Sequence, residues 1–213
     1  MERSAASTPA SSSSAPSPRR RVARAERERQ ILDAAVAVFA ERGYANASMD
    51  AVAERVGVTK PVLYTHFGSK EGLLLACVSR ARTELLEVTS EAAFAAEGPE
   101  DMLRRGTLAF FRFLDERAPA FTLLYSEASI AAEAVEAIRA QQTDFIAGLL
   151  GVAAPAADPL RLQGWAQVIV GACERLAVWR KRDPRVTAEQ ATEYLMDLAW
   201  SGLAGRTDRS RDP

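Results

Sequence analysis

Apolar residues recur along this chain at intervals of three and four, and nowhere at the interval of two that marks a strand. Ile31, Ala34, Ala35, Val38 and Phe39 lie on one face of a helix predicted from Arg24 to Gly43, where the glycine stops it. Ala51, Val52, Ala53 and Val56 give a second, short helix, with Ser48 as its N-cap and Asp50 in its first turn, where the positive end of the helix dipole favours a carboxylate. Gly57 supplies the left-handed stop. A third helix follows from Lys60 to Phe67, with Thr59 as a capping hydroxyl and Pro61 in the first turn. Leu63 and Phe67, four apart, form its buried stripe. Lys60, Pro61, Val62, Tyr64, Thr65 and His66 are left facing outward.

Longer elements follow. A fourth helix is predicted from Lys70 to about Ala95, and Gly98-Pro99 breaks the chain. A fifth runs from about Glu100 to Glu116 and is interrupted at Ala118-Pro119. A short one holds Phe121, Leu123, Leu124 and Tyr125, and another covers roughly Ala131 to Leu150. The last two run from about Leu160 to Arg182 and from about Ala188 to Gly205, divided at Asp183-Pro184. The expectation is an all-α chain of about nine helices. Gly68 and Ser69, at the exit of the third helix, link a small module over 23–70 to a larger helical body over 71–205. Residues 1–22, rich in Ser, Ala, Pro and Arg, and the tail 206–213 are expected to lack fixed structure.

Composition narrows the function. The chain has 213 residues, 48% of them hydrophobic, and a net charge of −1. A sum so close to zero argues against a nucleic-acid binder, but its distribution does not. Arg19, Arg20, Arg21, Arg24, Arg27 and Arg29 cluster around the start of the first helix, the segment up to about Leu75 is mildly basic, and the remainder is mildly acidic. The arginine cluster reads as a solvated helix start or as a basic arm for phosphates or a minor groove. No apolar run is long enough to cross a bilayer, and Glu2 with the Ser/Ala/Pro tract does not resemble a secretory signal. Cys77 and Cys173 stand far apart without metal-ligand spacing, which predicts two buried, reduced thiols in a cytoplasmic protein.

The only histidine is His66, so neither a cluster of histidine ligands for a metal nor a histidine relay can be assembled. With no Gly-rich phosphate loop and no evident acid/base pair, an enzyme is disfavoured; neither a metal nor another cofactor is expected. A protein-contact adaptor is a second alternative, opposed by the cation, phenol and imidazole on the exposed side of the third helix. Those groups suit a helix entering a DNA major groove. Lys60 can donate to guanine O6 and N7 or meet a phosphate, and Pro61 and Val62 can touch a thymine methyl.

The run GVTKPVLYTHFGSKEGLL resembles the signature of the TetR/AcrR family of transcriptional regulators, and RQILDAAVAVFAERGYANASMDAVAERVGV fits that family's first two helices. The likeness covers Arg27 to near Val78. It implies a three-helix, homeodomain-like helix-turn-helix module and a C-terminal bundle for effector binding and dimerisation. It places Ser48, Thr59, Lys60, Pro61, Val62, Tyr64, Thr65, His66 and Lys70 at DNA, with Tyr64, His66 and Lys70 at phosphates; the small Thr65 stands where relatives often carry an aromatic. It implies a homodimer on an inverted-repeat operator of double-stranded DNA, most simply a repressor released by a small-molecule effector, with no membrane partner. An effector cavity would draw on Phe94, Phe110, Phe113, Phe121, Tyr125, Phe145 and Trp165, although in any helical body such aromatics are core first. Val168, Gly171, Ala172, Arg175, Trp179, Tyr194 and Leu198 cover more of the last two helices than one core-facing stripe requires. This predicts a four-helix interface with a second copy.

Overall fold

The computed structural model describes residues 18–119 and 132–207, and among them it contains eight helices and no strand. These are α1 (Pro18–Asn46), α2 (Met49–Val56), α3 (Lys60–Phe67), α4 (Lys70–Phe94), α5 (Pro99–Glu116), α6 (Ala132–Ala153), α7 (Pro159–Arg182) and α8 (Ala188–Thr207). The short helix expected around Phe121 to Tyr125 lies outside the described residues, as do residues 1–17 and 208–213.

The helix boundaries follow from local chemistry. Ser48 Oγ accepts from the Ala51 amide at 3.2 Å, and Ser69 Oγ accepts from Gly72 at 2.9 Å. Thr187 and Gln190 cap α8 reciprocally, each side chain accepting from the other's amide at 3.2 and 3.0 Å. Gly57 ends α2 at φ 75°, and its amide and that of Val58 both reach the Ala53 carbonyl at 3.0 Å. Gly43 breaks α1 at φ 70°, ψ 160°, leaving one further turn of helix to Asn46. At its other end α1 begins at Pro18, earlier than the Arg24 expected from apolar spacing. Its leading turns are built from Arg, Ala and Glu, strong helix formers, and Glu26 pairs with Arg29 at 2.7 Å and Gln30 at 3.1 Å.

Two hydrophobic cores result. In the first, Ile31, Val38 and Phe39 of α1, Val52 of α2, Leu63 of α3 and Leu73, Leu74, Cys77 and Val78 of α4 are almost wholly buried. In the second, Leu85 of α4 joins Phe110, Phe111, Phe113 and Leu114 of α5, Ala147 and Leu150 of α6, Ile169 and Cys173 of α7 and Leu195 of α8. Helix α4 serves both. It runs antiparallel to α1: Lys70 reaches the Tyr44 carbonyl at 2.7 Å, while Arg80, further along α4, reaches the Arg29 carbonyl at 3.1 Å. Both cysteines are free and buried, as their isolation in the chain suggested, and burial pushes each thiol up to about 12. Among the described residues no helix is long and apolar enough to cross a membrane, and none group as three or more metal-type ligands.

Phe111 is fully buried at the centre of the second core. Phe111→Ala should cost about 3–5 kcal/mol of stability, the transfer of the ring plus the cavity it leaves, measured by urea unfolding of the purified protein.

Candidate nucleic-acid interface and ligand cavity

Helix α3 is held to its module by Leu63, which has no exposed surface, and by Phe67, which packs against the same core. With that side fixed, helical geometry turns Lys60, Pro61, Tyr64 and Thr65 outward, and all four are exposed, Tyr64 by 44%. Ser48 and Thr59 are exposed beside them, and Val62 and His66 are half-buried at the margin, His66 against the Phe67 ring. The Ser48 hydroxyl accepts the α2 cap bond and keeps its own proton for a further acceptor. Thr59, in contrast, makes no side-chain cap bond. Proline at the second helical position has no amide, and the Val62 amide donates to the Thr59 carbonyl at 3.0 Å, so the capping role expected for its hydroxyl has no donor to serve. The Thr65 hydroxyl donates back to the Pro61 carbonyl at 2.9 Å.

Two lysines are not placed as the sequence suggested. Lys60 Nζ lies 2.8 Å from Asp50 Oδ2, a pair that links the first turns of α2 and α3, and this hydrogen bond raises its pKa. Lys60 therefore stays charged, with one of its three N–H donors on Asp50 and two left for a further acceptor. Lys70 points inward. Its ammonium donates to the carbonyls of Tyr44 at 2.7 Å and Ala47 at 3.0 Å and sits 4.3 Å from the Tyr44 ring centroid. The cause is the end of α1: the break at Gly43 leaves carbonyls at a helix C-terminus, where negative partial charge gathers. Lys70 ties the start of α4 to that end, and the phosphate contact expected of it has no free donor pointing outward. Gly72 has a role that only the coordinates reveal, because a Cβ there would lie 2.1 Å from the Phe67 carbonyl oxygen.

The arginine cluster lies at the opposite end of α1. Arg24, Arg27 and Arg29 are exposed in its leading turns. Because Tyr44 meets the start of α4 and Arg29 meets Arg80, this end is displaced from the α3–α4 connection by roughly 20 Å of helix rise.

In the body, α4, α5, α6 and α7 enclose a cavity of about 90 Å³, with Trp200 of α8 at its wall. Phe110 and Phe145 line it as expected. Phe113, one turn beyond Phe110, is packed into the second core instead; Trp165 packs against that core one turn before Ile169; Phe94 is 69% exposed, its ring edge-on to Phe145. Phe121 and Tyr125 lie outside the described residues. The remaining wall is largely aliphatic, with Leu86, Leu103, Ile146, Leu149 and Ile169. Its charged group is Glu174, whose carboxylate accepts from Arg139 Nε at 2.9 Å. The hydrogen bond to Glu174 is the main cause of a raised Arg139 pKa.

The outer sides of α7 and α8 carry apolar surface. Val168 is 70% and Leu198 82% exposed, Gly171 and Arg175 are exposed, and Ala172 is half-buried. Trp179 and Tyr194, both partly exposed, bring their rings to 6.2 Å across the two helices. Leu160 extends the same α7 stripe, at four-residue steps through Gly164 to Val168, although its exposure was not foreseen.

Lys70→Met keeps the aliphatic stem but leaves carbonyls at the end of α1 without their donor. It should destabilise the first core by about 1.5–3 kcal/mol in urea unfolding. DNA binding by this variant should keep the salt slope of the parent protein, since no phosphate contact is removed.

The family description "Bacterial regulatory proteins, tetR family" matches residues 31–77, the segment that holds α2, α3 and the start of α4. The description "Tetracyclin repressor-like, C-terminal domain" matches residues 99–202, the body. The HTH-type transcriptional activator FasR of Mycolicibacterium smegmatis is 33% identical over 192 residues, covering 86% of each chain. The HTH-type transcriptional repressor KstR of the same organism is 38% identical over 81 residues, 38% of this chain and 40% of its own. A crystal structure of a TetR-like transcriptional regulator from Rhodococcus sp. RHA1 superposes with a TM-score of 0.67 at 33% identity, over 84% of this chain and 96% of that one. With both halves of the family pattern matched in order and a full-length relative at this identity, the chain belongs to the TetR family of helix-turn-helix DNA-binding transcriptional regulators.

Proposed function

We propose that two copies of this chain act as an effector-released repressor on an inverted-repeat operator, in the cytoplasm where that DNA lies. The observation that carries this reading is the division of α3, with Leu63 sealed into the core and Tyr64 turned outward beside it. Two such helices related by a two-fold axis would enter successive major grooves, roughly 34–36 Å apart. The phenol of Tyr64 and the hydroxyls of Ser48 and Thr59 are the donors for phosphate oxygens, with His66 at the edge of the same surface. Pro61 and Val62 offer apolar contact to a thymine methyl. Lys60 reads guanine or a phosphate with the donors that Asp50 leaves it. Thr65, whose hydroxyl proton is committed to Pro61, contributes shape. The role of Lys70 is to orient the α3–α4 connection.

The outward stripe of Val168, Gly171, Ala172, Arg175 and Trp179 on α7, with Tyr194 and Leu198 on α8, is the surface a second copy would cover. The cavity walled by α4 to α7 is the effector site, and its mainly aliphatic wall suits an apolar compound. A bound compound that prefers a shifted α4 would change operator affinity by its differential affinity for the two states, typically about 1–3 kcal/mol. A second reading, activation, is favoured by the name of the relative FasR. It makes the opposite prediction in a reporter assay: deletion of the regulator lowers expression from the bound promoter instead of raising it.

Selection of bound fragments from a pool of the source genome's DNA should yield inverted repeats; a protein that retains no duplex at moderate salt is not this regulator. On the selected operator, Tyr64→Phe should weaken all duplexes alike and leave the salt slope of binding unchanged, because a neutral phenol releases no counterion. Lys60→Ala should alter preference at particular base pairs by roughly 1–3 kcal/mol, and a uniform loss would assign Lys60 to a phosphate instead. Leu198→Glu should convert the dimer to a monomer in light scattering, because a charge would be buried at the paired face.

A further inference from the structure

We propose that Arg80, with Glu84 and Arg117, forms a charged clasp that sets the position of the DNA-reading module relative to the body. The proposal rests on the reading of α3 as the DNA-contacting helix and adds positioning residues that touch no DNA.

Arg80 is a second place, after Lys70 at the helix start, where polar groups bind α1 to α4. Its guanidinium pairs with Asp33 at 2.8 Å, donates to the Arg29 carbonyl at 3.1 Å and pairs with Glu84 at 2.7 Å. The second Glu84 oxygen faces the Arg117 guanidinium at 3.6 Å. Arg117 is the C-cap residue of α5. Asp33, Arg80, Glu84 and Arg117 thus alternate in sign along a line that joins α1, α4 and the end of α5. Arg80 and Glu84 are 24% and 29% exposed, so salt screens their attraction less than that of a surface pair.

The surroundings leave this line room to move. Asp33, Val36, Cys77, Arg80, Glu84 and Arg117 lie around a cleft of about 260 Å³ between α1, α4 and the end of α5. Charged side chains span an opening there, where apolar packing would hold the helices rigidly. The cavity wall begins within a turn of the clasp on α4, at Leu86, and two turns before it on α5, at Phe110. An occupant that parts α4 from α5 at those residues would lengthen the Glu84–Arg117 link, which at 3.6 Å is the longest of the chain. Arg80 would then hold α1 to an α4 that no longer follows α5. The closed clasp is the operator-competent arrangement.

The test uses the full-length dimer and its selected operator. Arg117→Gln and Glu84→Gln should weaken operator binding by about fivefold or more. They should leave the salt slope unchanged and the circular-dichroism melt close to that of the parent. Arg117→Lys should recover part of the loss. Arg80→Gln combined with Arg117→Gln should bind no more weakly than Arg80→Gln alone, because the two act through one chain. Arg105→Gln, which breaks an exposed α5 pair with Asp101 away from the clasp, is the control and should bind normally. Parent-like binding by Arg117→Gln and Glu84→Gln would overturn the proposal; so would multiplying losses in the double variant, or a salt slope reduced by about one, which would make Arg117 a phosphate contact. Amide hydrogen exchange in the last turn of α5, read without DNA, should accelerate in Arg117→Gln. Unchanged exchange overturns the clasp even if Arg80→Gln fails to fold. Failure of the parent protein to bind any duplex, with exchange altered as expected, would sink the DNA reading and leave the clasp standing.

Discussion

Helix α4 has to satisfy two hydrophobic cores with one rigid rod. Leu73, Leu74, Cys77 and Val78 close the core of the N-terminal module, and Leu85, two turns after Val78, is already part of the core of the body. No proline or glycine interrupts the stretch between them, so neither core can reorient without turning the helix they share. A separate linker would let the module sample many orientations. A shared helix restricts it to those that keep both sets of side chains out of water, and the groups along α4 decide among them. Lys70 holds its first turn to the carbonyls at the end of α1, and Arg80 holds its middle to α1 again.

Electrostatics at the α3 surface follows the same economy. Lys60 waits on Asp50, so the free module does not present a bare cation. The Asp50 carboxylate serves two ends: it stands in the first turn of α2, where the helix dipole favours it, and it holds Lys60 until a stronger acceptor arrives. Were Lys60 to read a base, as proposed, this pairing would compete with it, and base pairs that offer poor acceptors would return less in exchange.

Much of this arrangement was legible in the residues. Period-three-and-four spacing located the helices, and glycine and proline punctuation placed most breaks within a few positions, because both act through local backbone geometry. The inward pair Leu63 and Phe67 and the outward Tyr64 followed from spacing alone. Lys70 did not. A motif supplies a residue type at a position, whereas the direction of a long flexible side chain depends on which acceptors the fold brings near it, and here those lie on α1. The pairing of Lys60 with Asp50 escaped for the same reason. The body was harder, since an aromatic on a helix is equally suited to a filled core and to a cavity wall. Phe110 and Phe145 reached the cavity while Phe113 and Trp165 packed elsewhere, a distinction made by how far along its helix each ring lies. Trp200, distant in sequence, joined the wall through the packing of α8.

The cavity wall includes Cys173, whose thiol burial pushes up to about 12. At neutral pH such a buried sulfur stays a neutral thiol, without the charge that makes it a nucleophile. A reactive metabolite lodged there would meet a sulfur too inert to capture it, and would leave as intact as it came.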